Sequence, residues 1–428
     1  MRIAFVAMGF YWPLDEEAPS LLEDRGFHLP MSGREAHVDL HHTILGLQGA
    51  GHETHLFAVT FSDMWRHSGF EPEQLPYPAT ALPIAWAGMT NKKLGQLLRR
   101  AVDSWKPDAV FVGFARRHKP HMLEALAGYP IINRYYLHEP LCLADTYMYR
   151  GFQICPNDLL RTPNVCRYCA LRTWSLQIKA AEPILHADEL LRTGALKRHY
   201  HQLHKKTLAD CRSVIVYNET ARERLDGYCA DIRTIPFGVN AAEFRQTPLA
   251  DKPPSARKVI FMPGNADHFL NGAYVLAEAG RRLAMTRTDF EIRVIAAEDL
   301  VQQPWFTAYN WQDPEGVQRL YDDADIIVVP SVWSEPSGRT AIEGMAAGRP
   351  VVASRVGALQ QIVRDGETGR LFERESSREL SECLGRMLDD SDLRARMGGQ
   401  ARRTALAEYD WDRIIETHYP PLLEAVTS

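Results

Sequence analysis

The chain holds 428 residues with a formal net charge of −5 at pH 7, 45% hydrophobic residues and seven cysteines. That length is enough for two or three domains, each with its own core, and the near-neutral balance excludes the concentrated basic surface of a nucleic-acid binder. No apolar run reaches the roughly 18 residues of a membrane-spanning helix, and an odd cysteine count without an export signal is the pattern of a cytoplasmic protein.

Arg2–Met8 reads as an apolar first strand, since the small-residue cleavage site expected of a signal peptide does not follow it. The irregular stretch from Gly9 to Met31 carries Asp15, Glu16, Glu17, Glu23 and Asp24, acids suited to a polyhydroxylated or amine-bearing ligand. After Ser32, Gly33 and Arg34, the segment EAHVDLHHTILGLQGAG places Ala36, Leu40, Ile44 and Leu47 on one face, which predicts a helix stopped by Gly49 and Gly51. Strands are predicted at His55–Val59, Ala109–Val112, Pro130–Ile132 and Ser213–Val216, alternating with helical stretches. The basic cluster Arg116, Arg117, His118 and Lys119 follows the second of these, where a solvated loop and an anion or acceptor contact are both open readings.

Cys142, Cys155, Cys166 and Cys169 fall in one irregular segment, and Cys166 and Cys169 have the C-x-x-C spacing that lets two thiolates meet one zinc. A structural zinc and unrelated reduced thiols both fit that pattern. Residues 246–257, rich in Pro, Ser and charge, read as a linker. Alternation resumes with strands at Lys258–Met262, Glu291–Ile295, Ile326–Val329 and Pro350–Ala353. The expected fold class is therefore α/β, two Rossmann-like doubly wound domains facing across a cleft. They cover residues 1–250 and 251–409, with a final helix, 410–428, packing back on the first.

The unit from Ile326 to Ala353 is the most informative. A β-branched strand leads through a turn, Ser334–Gly338, into a short helix, Thr340–Ala347, closed by Gly348 and Pro350 before the next strand. The turn lies at the carboxyl end of a parallel strand, where open α/β sheets bind ligands. N–H groups of Gly338, Arg339 and Thr340 open the helix without intrahelical partners, so an anion is favoured there. Gly338 leaves room for a phosphate and Arg339 adds charge. Glu343, one turn inside, suits a ribose diol, and Glu335, before the turn, suits sugar hydroxyls. Together these residues describe a site for a nucleotide-diphosphate sugar. Solvated acids at a helix start remain the simpler alternative on spacing alone.

With the stretch EPSGRTAIEGMAAGRP over 335–350, the sequence resembles the retaining glycosyltransferases of family four, which have the GT-B fold. The motifs IPFGVN at 235–240, LYDDAD at 320–325 and DGETGRL at 365–371 agree. The resemblance implies that Glu343 binds the nucleotide ribose, that Glu335 serves the transferred sugar as a catalytic residue, and that amides around Ser337, Gly338 and Thr340 hold the diphosphate. It also implies a donor-side glycine at Gly33, with Ser32 in place of a second, and a catalytic contact to the donor sugar from His138 in YLHEP.

One departure stands out. In MPGNADHFLNG, residues 262–272, Asn265 and Asn271 occupy the places of the family's diphosphate-binding Arg and Lys. Asparagine donates hydrogen bonds but supplies no charge, so Arg339 or the Arg116–Lys119 cluster is expected to stabilise the leaving group; Arg116, Arg117 and His118 are also the acceptor-side candidates. The expected activity is retaining transfer of a sugar to a small polar acceptor or growing glycan, with no catalytic cofactor. A nucleotide-sugar epimerase or hydrolase, and a catalytically silent nucleotide-sugar binding protein, are the alternatives.

Overall fold

The computed structural model describes residues 1–8, 32–61, 72–144, 153–179, 185–244, 257–297 and 301–427. The acids expected to line a ligand site between Gly9 and Met31 lie outside them, as does the linker up to residue 256. The chain divides into two compact units, Met1–Ile235 with Ile415–Ser428, and Pro236–Ile414.

Among the described residues of the first unit seven strands form one sheet: β1 (Arg2–Met8), β2 (Glu53–Phe61), β3 (Ala79–Ile84), β4 (Ala109–Val112), β5 (Ile131–Arg134), β6 (Ser213–Val216) and β7 (Ile232–Thr234). Their order is β3-β2-β1-β4-β5-β6-β7, and neighbours run parallel. Sequence-consecutive strands therefore step one way from β1 and the other way from β4, and the order reverses between them. The inner strands β4, β5 and β6 are buried along their whole length, because helices cover both faces of such a sheet and leave it no polar side.

The first helix, Ser32–Gly49, presents Ala36, Leu40, Ile44 and Leu47 to the core, all essentially inaccessible. The end of the chain closes on the same helix. Tyr419, in the terminal helix Trp411–Thr427, shares a 3.1 Å hydroxyl–hydroxyl hydrogen bond with Thr43, and Ile415 fills the space above Gly46.

Among the described residues the second unit holds six strands: β8 (Lys258–Asn265), β9 (Phe290–Ile295), β10 (Phe306–Tyr309), β11 (Ile326–Val329), β12 (Val351–Ser354) and β13 (Gly369–Phe372). They are ordered β10-β9-β8-β11-β12-β13 and are again parallel. The reversal falls between β8 and β11, which pair through Ile326 with Ile260 and Ile327 with Phe261. Two loops leave the sheet side by side at that point, and Val332 N–H donates to the Leu270 carbonyl between them at 2.9 Å. A crevice at the carboxyl ends of strands on either side of such a reversal is where this architecture binds ligands. Among the described residues no helix is long and apolar enough to cross a membrane.

Candidate functional site

The loop leaving β11 is held from beneath. Ser354, at the end of β12, donates its hydroxyl to the Ser331 carbonyl at 2.5 Å, and the Ser331 hydroxyl donates to Glu335 Oε2 at 3.1 Å. The Glu335 carbonyl accepts the Ala358 N–H at 2.8 Å. Gly357, at φ 48°, lies so close under Glu335 that a Cβ there would collide with its backbone nitrogen and oxygen. Glu335 thus rides on a loop pinned at three points.

The site helix, Arg339–Ala346, begins at Gly338 in a left-handed conformation (φ 64°, ψ 26°) with no side chain capping it. The left-handed backbone favours glycine at Gly338, and a Cβ there would also have to displace the Ile362 Cδ1 methyl, 2.5 Å away. The first N–H groups to reach a helical carbonyl are those of Ala341 and Ile342, both bonded to Gly338 at 3.0 and 3.2 Å. Those of Gly338, Arg339 and Thr340 precede the ladder and carry the positive end of the helix dipole. Ser337, just before them, is buried.

Glu343 lies one turn inside. Its Oε1 accepts a 2.6 Å bond from Arg339 Nε, and its Oε2 accepts a 2.8 Å bond from the Tyr321 hydroxyl. Tyr321 is buried edge-on between Phe244 and Phe261, with centroids at 5.7 and 5.4 Å. Burial, then the adjacent Glu343 charge, push its phenol well above the usual range, so it stays a donor. Arg339, expected on the diphosphate, instead lies along its own helix against Glu343, with its guanidinium 5.5 Å from the Phe237 ring centroid. The i,i+4 spacing puts the two on one helical face, and a charge-assisted bond forms there.

Asn265 and Asn271 are likewise occupied. Asn265 Oδ1 accepts the Asp267 N–H at 2.9 Å, which makes an Asx turn, and Asn271 Nδ2 donates to the Asn265 carbonyl at 2.8 Å. The pair shapes the loop after β8.

In the first unit, His138 follows β5 and is buried. Its carbonyl accepts the Leu141 and Cys142 N–H groups at 2.9 and 2.8 Å, forming a tight turn. Gly33 sits in the first turn of the Ser32–Gly49 helix. The basic cluster after β4 is not the exposed patch the sequence predicts. Arg117 is buried, with Nη1 on Glu189 Oε2 at 2.6 Å and Nε on the Leu143 carbonyl at 3.0 Å. His118 is buried edge-on against Trp86, and burial pushes its imidazole down to about 4. Lys119 is fully enclosed, with Nζ donating to the Arg134 carbonyl at 2.6 Å. Only Arg116 keeps a partly exposed side chain, 3.7 Å from Glu189, on a backbone at φ 45°. The other three anchor the fold, because the turn after a buried strand directs them inward.

Cys142, Cys155, Cys166 and Cys169 are half-buried thiols that form no disulfide among the described residues. Cys166 and Cys169 lie on the helix Pro163–Lys179, and burial pushes the Cys166 thiol up to about 11. Among the described residues no group of three or more His, Cys, Asp or Glu side chains converges to hold a metal. The expected structural zinc therefore finds no geometric support. C-x-x-C spacing on a helix leaves the remaining ligands to tertiary placement, which the sequence does not give.

Residues 296–404, which contain Glu335, Gly338 and Glu343, match the family described as Glycosyl transferases group 1. The matched stretch lies within the second compact unit. The chain is 28% identical over 239 residues to the D-inositol 3-phosphate glycosyltransferase of Corynebacterium urealyticum, covering 49% of this chain and 56% of that one. It is 28% identical over 258 residues to the phosphatidyl-myo-inositol mannosyltransferase of Mycobacterium leprae, covering 56% and 67%. The matched stretch thus spans little more than half the length of the first of these relatives.

Solved structures extend the likeness to the whole chain at the level of fold. Sucrose-phosphate synthase from Thermosynechococcus elongatus superposes with a TM-score of 0.62 at 17% identity, covering 99% of both chains. Anabaena Alr3699/HepE in complex with UDP gives 0.64 at 14%, covering 99% and 100%. The two parallel sheets of the chain are those of the GT-B fold.

Three parts of its site went unassigned in the sequence. Tyr321 stands inside the quoted motif LYDDAD, but nothing in that motif says its hydroxyl meets Glu343. Ser331 and Gly357 flank apolar strands as ordinary loop residues do, and only their contacts with Glu335 single them out.

Proposed function

We propose that this chain is a retaining sugar transferase, moving a glycosyl group from a nucleoside-diphosphate sugar to a hydroxyl of a small polar acceptor or growing glycan. One observation carries the reading: an uncapped helix N-terminus at Gly338 stands at the strand-order reversal, with Glu343 one turn inside and Glu335 just before it. The N–H groups of Gly338, Arg339 and Thr340 would hold the diphosphate, Glu343 the ribose and Glu335 the transferred sugar. Asn265 and Asn271 would set the loop beside the phosphates without adding charge.

In the reaction the bond from the anomeric carbon to the leaving phosphate oxygen breaks, and the acceptor oxygen bonds to the same face. The acceptor proton passes to the departing diphosphate. The protein positions both partners and stabilises charge on the leaving group through fixed N–H donors. Glu335, steadied by Ser331, orients the sugar and faces its developing positive charge. In the first unit, His138 and Arg116 are the proposed sugar or acceptor contacts. The two relatives are named for inositol compounds, which makes a polyol the first acceptor class to try.

Calorimetric titration with UDP, GDP and ADP tests the donor site. At least one is expected to bind, and Glu343→Gln is expected to weaken it by roughly 10- to 100-fold, the worth of one or two charge-assisted hydrogen bonds. No binding by any of the three overturns the reading. Transfer should give a product of unchanged anomeric configuration by NMR, and an inverted product would exclude retention.

A further inference from the structure

The two donors on Glu343 point to a specificity device, an inference that rests on the donor site proposed above. A carboxylate has four acceptor positions on two oxygens. Here each oxygen has one protein donor: Arg339 Nε on Oε1 at 2.6 Å and the Tyr321 hydroxyl on Oε2 at 2.8 Å. Those two bonds fix both the position of the carboxylate and its rotation. Tyr321 itself is buried between two phenyl rings, with its hydroxyl 3.5 Å from the Thr340 carbonyl. Arg339 rests against the Phe237 ring. The Glu343 side chain is 13% exposed and that of Arg339 is 32% exposed, so the carboxylate keeps one open edge. An edge with one remaining acceptor position per oxygen matches two adjacent hydroxyl donors, the 2′,3′-diol of a ribose.

We infer that Arg339 and Tyr321 are positioning residues that lock Glu343 as a reader of the intact ribose diol, so that the site distinguishes ribonucleoside from 2′-deoxyribonucleoside diphosphates. A site built to accept a substrate hydroxyl rejects the analogue that lacks it, because a fixed acceptor is then left without its donor. Arg339 accordingly acts through Glu343 and not on the phosphates.

The test measures dissociation constants for UDP, GDP and ADP, each beside its 2′-deoxy counterpart and its monophosphate. In the unmodified protein the ribonucleotide should bind at least tenfold tighter than its 2′-deoxy form. Arg339→Leu and Tyr321→Phe should each cut that preference to threefold or less, while the preference for diphosphate over monophosphate stays unchanged. Arg339→Lys, which keeps a donor, should restore part of it. The inference is overturned alone if the unmodified protein binds both sugars equally, or if Arg339→Leu weakens both equally and erodes the diphosphate preference. If none of the three diphosphates binds, the donor-site reading fails and this inference with it. Melting temperatures of the variants, expected within a few degrees of the parent, separate misfolding from lost recognition.

Discussion

At the scale of single residues, the candidate site depends on a glycine packed beneath it. Gly357 has φ 48°, and its missing side chain leaves room for the backbone of Glu335. Gly357→Ala has to move that loop as well as bear the left-handed strain. Gly51, at φ 85° with nothing within 4 Å of its would-be Cβ, is the matched control. Gly51→Ala should cost about 1 kcal/mol, the strain alone, and leave nucleotide binding intact. Gly357→Ala should cost about 3 kcal/mol, strain plus displaced backbone, and weaken nucleotide binding at least tenfold; urea melts and calorimetry read the two effects. Equal costs at both positions would mean the Glu335 loop yields freely.

At the scale of elements, the first unit is tied together by buried charge. Arg134, the last residue of β5, donates from Nη2 to Asp39 Oδ1 on the first helix at 2.7 Å, and neither side chain is exposed. Removing one partner strands the other in a low-dielectric interior, so Arg134→Met or Asp39→Leu alone should destabilise the protein by about 3–5 kcal/mol. The double substitution should recover most of that loss, and chemical denaturation of the three variants decides it.

Lys119 sits nearby, on the Arg134 carbonyl and 4.4 Å from the Tyr135 ring centroid. Burial pushes its ammonium from 10.5 down to about 8, against the pull of Glu139. Between those pH values the unfolded chain binds a proton that the native protein does not, so this group makes stability rise with pH across the window. The stability of the parent relative to Lys119→Met should therefore climb by about 1–3 kcal/mol between pH 8 and 10.5. A flat difference across that range would contradict the assignment.

At the scale of the whole molecule, the strands that periodicity reveals are those inside the sheets. β1, β2, β4, β5 and β6 of one sheet and β8, β9, β11 and β12 of the other stand out as apolar runs, because strands covered on both faces have few polar positions. The four strands missed, β3, β7, β10 and β13, are the four sheet edges. β7 is only half-buried throughout and β10 nearly so, while β13 is four residues long and contains Gly369 and Arg370. An edge strand is specified by its single neighbour's hydrogen bonds, and backbone pairing leaves little trace in side-chain pattern.

The site divides in the same way. The sequence by itself determined the strand–turn–helix unit around Glu335, Gly338 and Glu343, because turn geometry, helix termini and one-turn spacing are local properties of neighbouring residues. Tertiary structure alone decided that Tyr321 reaches Glu343 from another helix, and that Arg117, His118 and Lys119 point inward. A side chain's partner depends on which elements meet in space. That meeting is set by packing between segments as far apart as Thr43 and Tyr419, a separation no local pattern encodes.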